Sequence, residues 1–391
     1  MLLKFKVKNY KSIVEEAVLD MVAGSGSDNR HFLFIETNKV NILPIAGIYG
    51  VSASGKTNFI EAICNMCLDI RDSYKNGVKG AMRVVPNLVN TELSEAPTEY
   101  EICIGIKNKE YRYGYKAEKD GIIEEWLFER KLSRNDTKWQ TVFERGENGI
   151  SFSDKYRSFE IFRDFIGNNV LILSFLGKEK KNTSNLFMDI YQWILSMVYM
   201  GVMGGESTDL QFYFDTCVPL YTVDEALREN FAEFIREFDP SVIEIKVGKE
   251  NIIIRRESGD YPLEIESLGI KKLFICYAVI HGHQEHKCGL FLVDELDSHL
   301  HPLVLRHIAT MYHDENKNLR HSQLIYSSHN LIIMDNDYLR RDEIWLTKKN
   351  DKDHTNLYRL VDQEVRADMN YNKNYLGEHI ELKYSYPKKG E

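Results

Sequence analysis

The segment GVSASGKT, at Gly50–Thr57, is the part of the sequence most specific for one class of fold. It follows an almost wholly apolar run, Asn41–Tyr49, and precedes a run with helical apolar spacing, Phe59–Leu68. A GxxxxGK[ST] pattern between a buried strand and a helix predicts a loop whose backbone N–H groups surround phosphate oxygens. Lys56 would reach the β- and γ-phosphates of a nucleotide, and the Thr57 hydroxyl would ligate Mg²⁺. Further contacts with the nucleotide are predicted for Gly50, Ser52, Ser54, Gly55 and Asn58.

A second motif lies far downstream, where the apolar run Gly289–Val293 ends in Asp294 and Glu295. Open α/β sheets bind ligands at the carboxyl ends of their strands, so Asp294 is predicted to hold Mg²⁺ through its water shell. Glu295 is predicted to be the general base, or the group that positions water, for attack on the γ-phosphate. Taken alone, the pattern also fits an ordinary strand end, but the phosphate-binding loop upstream favours the functional interpretation.

Composition limits the classes of protein that fit. The chain has 391 residues, of which 43% are hydrophobic, and a formal net charge of −9. The charge argues against binding nucleic acid through overall attraction, although a local basic patch stays open. No apolar stretch approaches the roughly 18 residues that span a bilayer, and Met1–Lys11 lacks the features of a signal peptide, so we expect a cytoplasmic protein without a membrane partner. The CxxC pair Cys64 and Cys67 is more typical of buried, reduced thiols than of a zinc site.

Hydrophobic periodicity divides the chain into four parts. Residues 1–98 contain the strand, loop and helix described above, and residues 99–150 alternate apolar and polar residues between turn formers, which predicts antiparallel hairpins. Residues 151–260 are mainly helical in composition, with a break at Gly201–Thr208 and a final hairpin at Val242–Arg255. Residues 261–391 return to alternating helices and strands. The prediction is an α/β protein with an antiparallel β-subdomain and a helical insertion.

Between the two motifs, the segment ESLGIKKL, Glu266–Leu273, precedes a predicted helix. Serine is a good N-cap and a helix N-terminus attracts anions, so the segment alone fits either a capped helix or an anion site. Ahead of Asp294, it resembles the signature motif of the ABC/SMC-type ATPases in its looser Ser-x-Gly form. The resemblance implies an ABC-type P-loop NTPase head that binds ATP with Mg²⁺. In that family Ser267 and Gly269 would contact the γ-phosphate held by a second subunit.

Two further segments resemble motifs of the same family. Leu296–Pro302 resembles its D-loop, which implies that Asp297 lies at a subunit interface beside the nucleotide. Gln323–Asn330 resembles its switch strand, an apolar strand that ends here in Ser-Ser-His-Asn. This resemblance implies that His329 senses the γ-phosphate.

The resemblance continues near both ends of the chain. Asn9–Ser12 resembles the N-terminal turn of these ATPases, which implies that Lys11 approaches the nucleotide. Arg340–Trp345 and Tyr375–Gly377 resemble segments of small bacterial AAA/ABC-type proteins of phage-defence and abortive-infection systems. No glutamine has the context of the family's Q-loop, and that loop is expected near Leu171–Lys181.

The family resemblance also implies a function. The reaction would be hydrolysis of ATP to ADP and phosphate, catalysed by Glu295, His329 and Lys56 in a head-to-tail dimer or a higher homo-oligomer. As in OLD-like defence ATPases without a Toprim domain, the chain would be a sensor or scaffold that controls a separate effector encoded nearby. Its trigger would be a nucleic acid or a phage protein. Two alternatives stay open: an SMC-like DNA-binding ATPase of repair, and a nuclease toxin with ATPase control whose active site lies in residues 130–260.

Two smaller clusters are not predicted to be sites. His281, His283, His286 and Cys288 have a spacing that could hold a metal, but they fall in a predicted exposed connection. Glu381–Lys383 is an ExK fragment of the kind found in nucleases, and such triplets also occur by chance.

Overall fold

The computed structural model describes residues 1–24, 34–35, 40–74, 82–133, 138–178, 185–203, 206–207, 210–248, 251–281, 289–318, 320–363, 365–366, 369–377 and 380. This part of the chain contains twenty strands and nine α-helices. The strands are β1 (Leu2–Lys8), β2 (Ala17–Asp20), β3 (Phe34–Ile35), β4 (Asn41–Ile42), β5 (Ile45–Tyr49), β6 (Thr98–Ile106), β7 (Lys109–Glu118), β8 (Gly121–Lys131), β9 (Gln140–Gly146), β10 (Gly149–Phe152), β11 (Val198–Met200), β12 (Val202–Met203), β13 (Glu206–Ser207), β14 (Val242–Val247), β15 (Ile252–Arg256), β16 (Gly259–Pro262), β17 (Leu290–Val293), β18 (Gln323–Ser328), β19 (Ile344–Lys349) and β20 (Thr355–Arg359). The helices are α1 (Lys56–Asp72), α2 (Thr91–Glu95), α3 (Ile172–Lys178), α4 (Asn185–Leu195), α5 (Leu210–Val223), α6 (Glu225–Arg236), α7 (Leu268–His281), α8 (Pro302–His313) and α9 (Tyr371–Leu376).

Six strands form a sheet in the order β11–β17–β18–β5–β19–β20, in which every neighbouring pair runs parallel except β19 and β20. All five residues of β5 are buried, as expected for a parallel strand covered on both faces. Strands β17 and β18 are likewise buried along their whole length. The carboxyl ends of β5, β17 and β18 therefore meet at one edge of the sheet, where the phosphate-binding loop and Asp294 begin.

The parallel sheet separates two hydrophobic cores. Along β5, Ala46 and Ile48 belong to the core that also contains residues of α1, α3, α4 and the antiparallel strands. Ile45 and Tyr49, which point to the opposite face, belong to the core that contains residues of α5, α6, α7 and α8. The parallel sheet is thus the middle layer of the structure.

A second, antiparallel sheet has the order β10–β9–β8–β7–β6–β1–β2. It contains the hairpins predicted for residues 99–150 and also takes in β1 and β2 from the N-terminal part. The buried Gln323, at the start of β18, connects it to the parallel sheet. The Leu2 N–H donates to Gln323 Oε1 at 2.6 Å, and Gln323 Nε2 donates to the carbonyls of Leu2 and Leu43, both at 3.0 Å.

Two buried carboxylates join the antiparallel sheet to neighbouring helices. Glu125 of β8 accepts the N–H groups of Ile172 and Leu173 at 2.9 and 3.2 Å. These donors open α3, where a helix leaves its N–H groups unpaired. Asp69 of α1 accepts the Tyr115 hydroxyl of β7 at 2.9 Å. Both buried carboxyl groups are therefore satisfied by partners from other elements.

The predicted α/β architecture is confirmed, and the main difference lies in residues 151–260. Besides helices, this part contributes β11, which adds to the parallel sheet beside β17. Three apolar residues next to a helix give no distinct strand pattern, and only the partner strand makes β11 part of a sheet. The predicted hairpin at Val242–Arg255 is observed as part of the three-stranded sheet β14–β15–β16.

Three smaller sequence features are the CxxC pair, the His/Cys cluster and the ExK fragment, and the structure describes only part of them. Cys64 and Cys67 lie on α1 as free thiols, and burial raises the pKa of both, that of Cys64 to about 12. His281 ends α7, whereas His283, His286 and Cys288 lie outside the described residues, as does Glu381–Lys383. In the part of the chain that the structure describes, no helix is both long and apolar enough to cross a membrane.

Candidate functional site

The phosphate-binding loop has a backbone shape that requires glycine. Gly55 has a φ of 102°, in the left-handed region that glycine adopts without strain. A Cβ atom on Gly55 would collide with the Thr355 side chain, and one on Gly50 would collide with Thr347. The loop therefore lies tightly against the β19–β20 hairpin, and larger residues at the two glycines would displace it.

Lys56 begins α1 and is buried, with 5% of its surface exposed. Its Nζ donates to two carbonyls of its own loop, those of Gly50 at 2.8 Å and Val51 at 3.1 Å. Burial lowers the pKa of Lys56, while nearby carboxylates that include Asp294 and Glu295 raise it. The two acidic residues predicted from the second motif are thus close enough to act electrostatically on the lysine of the first.

A chain of hydroxyl groups supports the loop from outside. Thr355 Oγ1 donates to the Ser54 carbonyl at 2.9 Å and lies 2.7 Å from Ser12 Oγ. Asn58, predicted to contact the nucleotide, donates from Nδ2 to the same Ser12 hydroxyl at 2.6 Å. Thr347 Oγ1 and Ser54 Oγ lie 2.6 Å apart. These threonines could not be predicted from the sequence, because hydroxyl residues are common and their partners lie far away along the chain.

Asp294 and Glu295 follow β17 and are positioned by one serine of β18. The Ser327 hydroxyl donates to Asp294 Oδ1 and accepts the Glu295 N–H at 2.8 Å. Asp294 is buried, whereas Glu295 is exposed and has a φ of 51°. A left-handed backbone is uncommon for glutamate and is maintained only where the surrounding structure enforces it. Of the two carboxylates that follow β17, one is therefore buried and the other is exposed.

A buried lysine of α7 holds the segment that follows Glu295. Lys272 Nζ donates to the Glu295 carbonyl at 2.7 Å, to the Ser298 hydroxyl at 2.8 Å and to the Ser298 carbonyl at 3.2 Å. A Cβ atom on Gly269 would collide with the His299 carbonyl. The glycine of the predicted signature thus lets α7 approach the predicted D-loop within one chain.

Ser267, the other predicted signature residue, is exposed just before α7. Its hydroxyl accepts the Ile270 N–H at 3.3 Å, as an N-cap does. Two large apolar side chains beside it are also exposed, Ile265 at 69% and Leu268 at 48%. A contact between Ser267 and a nucleotide stays a prediction.

His329 and Asp297 meet in one chain. His329 follows β18 and is exposed, and its backbone N–H donates to Asp297 Oδ1 at 3.2 Å. The contact uses the backbone of His329 and not its imidazole. The predicted switch residue and the predicted D-loop are therefore in direct contact, while their roles toward a nucleotide stay predictions.

Lys11 has a partner of its own. It lies in the predicted N-terminal turn with a φ of 48°, and its ammonium forms an ion pair with Glu61 of α1. The turn also contacts α1 next to the phosphate-binding loop, because the Ser12 hydroxyl accepts a hydrogen bond from Asn58, so Lys11 is a neighbour of the site. An approach of Lys11 to the nucleotide would require its ammonium to leave Glu61 and stays a prediction. Of the other predicted residues, Ser52 is exposed and Thr57 is partly exposed.

The segment beside Asp294 is not the one expected for the Q-loop. Ile172–Lys178, within the expected Leu171–Lys181, forms α3 instead, and residues 179–181 lie outside the described residues. The Asp294 N–H donates to the Met200 carbonyl of β11 at 2.8 Å. The next residue is Gly201, where a Cβ atom would come within 2.7 Å of the Asp294 side chain. This place beside Asp294 is therefore lined by the Met200 carbonyl, by Gly201 and by the Tyr199 side chain.

These groups fit a nucleotide with Mg²⁺. Within the described chain, no side chain caps the start of the 17-residue α1, so its first N–H groups are available to an anion. Thr57 and Asp294 offer the oxygen atoms that Mg²⁺ prefers. Among the described residues, no group of three or more His, Cys, Asp and Glu side chains could hold a metal ion. Mg²⁺ fits this setting, because it commonly takes few protein ligands together with phosphate oxygens.

Solved structures similar to this chain include SMC heads. The SMC head domain from Thermotoga maritima is 16% identical with a TM-score of 0.45, over 92% of this chain and 98% of that one. The Smc head with an extended coiled coil bound to the C-terminal domain of ScpA, derived from Pyrococcus furiosus, is 13% identical with a TM-score of 0.43, over 97% and 98% of the two chains. TM-scores below 0.5 add no argument to the topology described above. Curated protein sequences gave no match.

A family model described as "AAA domain, putative AbiEii toxin, Type IV TA system" matches residues 45–201 and 206–335. The matched segments include the phosphate-binding loop, Ser267, Gly269, the acidic pair after β17 and His329. They cover more than half of the chain. By this match the chain belongs to that family of AAA/ABC-type ATPases.

Proposed function

We propose that the chain binds ATP with Mg²⁺ and hydrolyses it to ADP and phosphate in a site shared by two copies arranged head to tail. The observation that supports this most is the edge of the parallel sheet, where the loop with Lys56 follows β5, the pair Asp294 and Glu295 follows β17, and both strands pair with β18. A cation for phosphate, an oxygen donor for Mg²⁺ and a carboxylate for water are the parts that phosphoryl transfer to water requires.

Each group of residues in the site would have a separate role in the reaction. The loop N–H groups and Lys56 would bind the β- and γ-phosphates, and Thr57 and Asp294 would hold Mg²⁺, which would neutralise charge on the phosphate oxygens. Glu295, exposed beside this site, would orient the attacking water and accept its proton. His329 would hydrogen-bond the γ-phosphate and so report whether it is present.

A second copy is proposed because apolar residues are exposed on both halves of the predicted interface. Val51 of the phosphate-binding loop is 70% exposed, and Leu268 at the start of α7 is 48% exposed. A partner copy would cover both side chains. A head-to-tail pair would set Val51 of one copy near Leu268 of the other and would bring Ser267 and Gly269 to the γ-phosphate.

In the cell, we propose a cytoplasmic, nucleotide-gated sensor or scaffold of bacterial antiviral defence that controls a separate effector encoded nearby. A nucleic acid or a phage protein would be the trigger. The family description, which names a toxin of type IV toxin–antitoxin systems, supports a defence setting. ATP-dependent pairing would give such a switch its two states.

The described surfaces give less support to the alternative of an SMC-like DNA-binding ATPase. On the antiparallel sheet, Lys6 pairs with Glu101 at 3.3 Å and Arg130 with Glu110 at 2.7 Å. Cations neutralised in this way do not favour a nucleic-acid backbone. The nuclease alternative is tested separately, by assaying the pure chain for cleavage of nucleic acid.

The shared site can be tested by crosslinking. Val51→Cys and Leu268→Cys would be introduced together in the Glu295→Gln background, with each single variant as a control. We expect a crosslink between chains in ATP and none in ADP, and Lys56→Ala should abolish it. Crosslinks formed within one chain only, or equally without nucleotide, would refute the head-to-tail site.

The defence role needs its own test. Bacteria carrying the gene for this chain with its neighbouring gene would be challenged with phage. We expect fewer plaques than in cells without the pair, and normal plaque numbers for Lys56→Ala. Equal plaque counts for wild type and Lys56→Ala across a broad phage panel would contradict the role.

A further inference from the structure

We infer that Lys272 is a positioning residue through which the signature helix of each subunit keeps the catalytic loop of the same subunit in its working shape. Its Nζ has three hydrogen-bond donors, and it contacts three acceptors in one short segment: the Glu295 carbonyl, the Ser298 carbonyl and the Ser298 hydroxyl. The inference rests on the proposed function, because Glu295 is catalytic only if the chain hydrolyses ATP.

The environment of Lys272 is unusual for a charged side chain. Only 4% of its surface is exposed, and a buried ammonium is normally paired with a carboxylate. Here the hydrogen-bond partners are two backbone carbonyls and a hydroxyl. Burial lowers the pKa of Lys272, whereas Cys276, Asp297, Glu295 and Asp294 raise it. A buried cation with these partners fixes backbone position, since loss of any one bond would leave a donor unsatisfied.

Glu295 is the residue that gains most from this contact. Its N–H is bound by Ser327 at 2.8 Å and its carbonyl by Lys272 at 2.7 Å, so both sides of one residue are held by different elements. Between its bound N–H and its bound carbonyl, Glu295 has a left-handed backbone, with a φ of 51°. Without Lys272 the Glu295 carbonyl would lose its bond to α7, while the bonds with Ser327 and with the Ser298 N–H would remain.

Helix α7 touches the same segment at a second point. The close approach of Gly269 to the His299 carbonyl lies one turn before Lys272 on the helix. A shift at the start of α7, where Ser267 would meet the nucleotide of the partner, would therefore move the segment Glu295–His299. Lys272 would in this way connect the signature of a subunit to the water-activating carboxylate of the same subunit.

The test compares Lys272→Met with Lys271→Met. Methionine keeps the aliphatic stem and removes all three donors. The control lysine is adjacent on α7, with its ammonium 6.0 Å from the Phe214 ring. We expect Lys272→Met to lower kcat about 100-fold, the loss typical of a misplaced catalytic group, while KM for ATP changes less than about threefold. Lys271→Met should stay within about twofold of wild type in both values.

Two milder variants keep the test decisive if Lys272→Met does not fold. Lys272→Arg retains charge and donors and should recover part of kcat. Ser298→Ala removes one of the three acceptors and should lower kcat about three- to tenfold. A rise in KM with unchanged kcat, or equal effects of Lys272→Met and Lys271→Met, would overturn the positioning role.

A second measurement does not depend on ATP hydrolysis. The N–H groups of Leu296, Ser298 and Leu300 donate to the carbonyls of Ser327, Glu295 and Asp297. Hydrogen exchange at these three amides should be faster in Lys272→Met, while exchange within β18 stays unchanged. If the wild type hydrolyses ATP but exchange at these amides is unchanged in Lys272→Met, the role of Lys272 is refuted and the proposed function is not. Absence of ATPase in the wild-type chain would refute the proposed function, and faster exchange would still support the contact.

Discussion

Helix α1 has a buried charged group near each end, and the two groups are held in opposite ways. At its start, Lys56 donates to carbonyls of its own loop. Near its end, Asp69 accepts the Tyr115 hydroxyl at 2.9 Å and the Arg83 N–H at 3.1 Å, which belong to other parts of the chain. The bonds of Lys56 can be exchanged for phosphate oxygens without moving another element. Those of Asp69 cannot be broken without disturbing the packing of α1 against the antiparallel sheet, so one end of the helix suits a ligand and the other provides support.

The largest effect is expected from Glu295→Gln, which tests whether the ligand end performs chemistry. The amide is nearly isosteric but cannot accept the proton of water at neutral pH, so hydrolysis should fall about 10²- to 10⁴-fold while ATP binding remains. Phosphate release and calorimetry measure the two quantities. The exposed Glu264→Gln serves as the control. Hydrolysis at the wild-type rate would reject Glu295 as the catalytic group.

Lys56→Ala tests whether the bonds at the start of α1 are the exchangeable ones. Two charge-assisted bonds to phosphate would be lost, which should weaken MgATP binding about 100-fold or more. The far-ultraviolet circular dichroism should stay that of the wild type. An unchanged dissociation constant in calorimetry would contradict the phosphate-binding role of this loop.

Asp69→Asn tests the supporting end through pH. Burial raises the pKa of Asp69 from its ordinary value of 3.8 to about 6. The folded chain therefore holds this proton more tightly than the unfolded chain, so its contribution is full below pH 3.8 and is lost as the pH rises through 6. Asparagine cannot ionise, so the variant lacks this pH dependence. As the pH rises from 3.8 to 6, the free energy of unfolding of the wild type should fall relative to that of the variant, by on the order of 2 kcal/mol. Parallel urea-unfolding profiles from pH 4 to 7 would show that Asp69 does not titrate in this way.

The smallest effect is expected from Thr355→Val, which removes the hydroxyl that supports the loop at the ligand end. The lost bond to the Ser54 carbonyl should cost about 1 kcal/mol of stability and weaken ATP binding severalfold. The exposed Thr222, whose hydroxyl bonds within α5 to Val218, offers Thr222→Val as the control. Equal ATP affinity in the wild type and Thr355→Val would mean that the glycines shape the loop without the hairpin.

Much of the ligand end was predictable because its residues work through local geometry. A buried strand, a glycine loop and a helix start follow each other directly in the sequence around Lys56, and Asp294 follows an apolar strand. The supporting end was not predictable. Asp69 is an ordinary acidic residue on a helix, and nothing near it in the sequence indicates that Tyr115 and Arg83 are its partners. Strand β11 could not be predicted either, because only its pairing with the distant β17 identifies it as a strand.

The α/β class, the glycine loop around Lys56 and the order of the acidic pair and the predicted switch strand could be predicted from the sequence, because each depends on the spacing of neighbouring residues. The folded structure was needed to show that Ser327 positions the acidic pair, that Thr347 and Thr355 support the loop, and that Lys272 holds the segment after Glu295. These contacts join elements that are distant along the chain. Their order in the parallel sheet is set by the burial of two separate cores on its faces, which local sequence patterns do not encode.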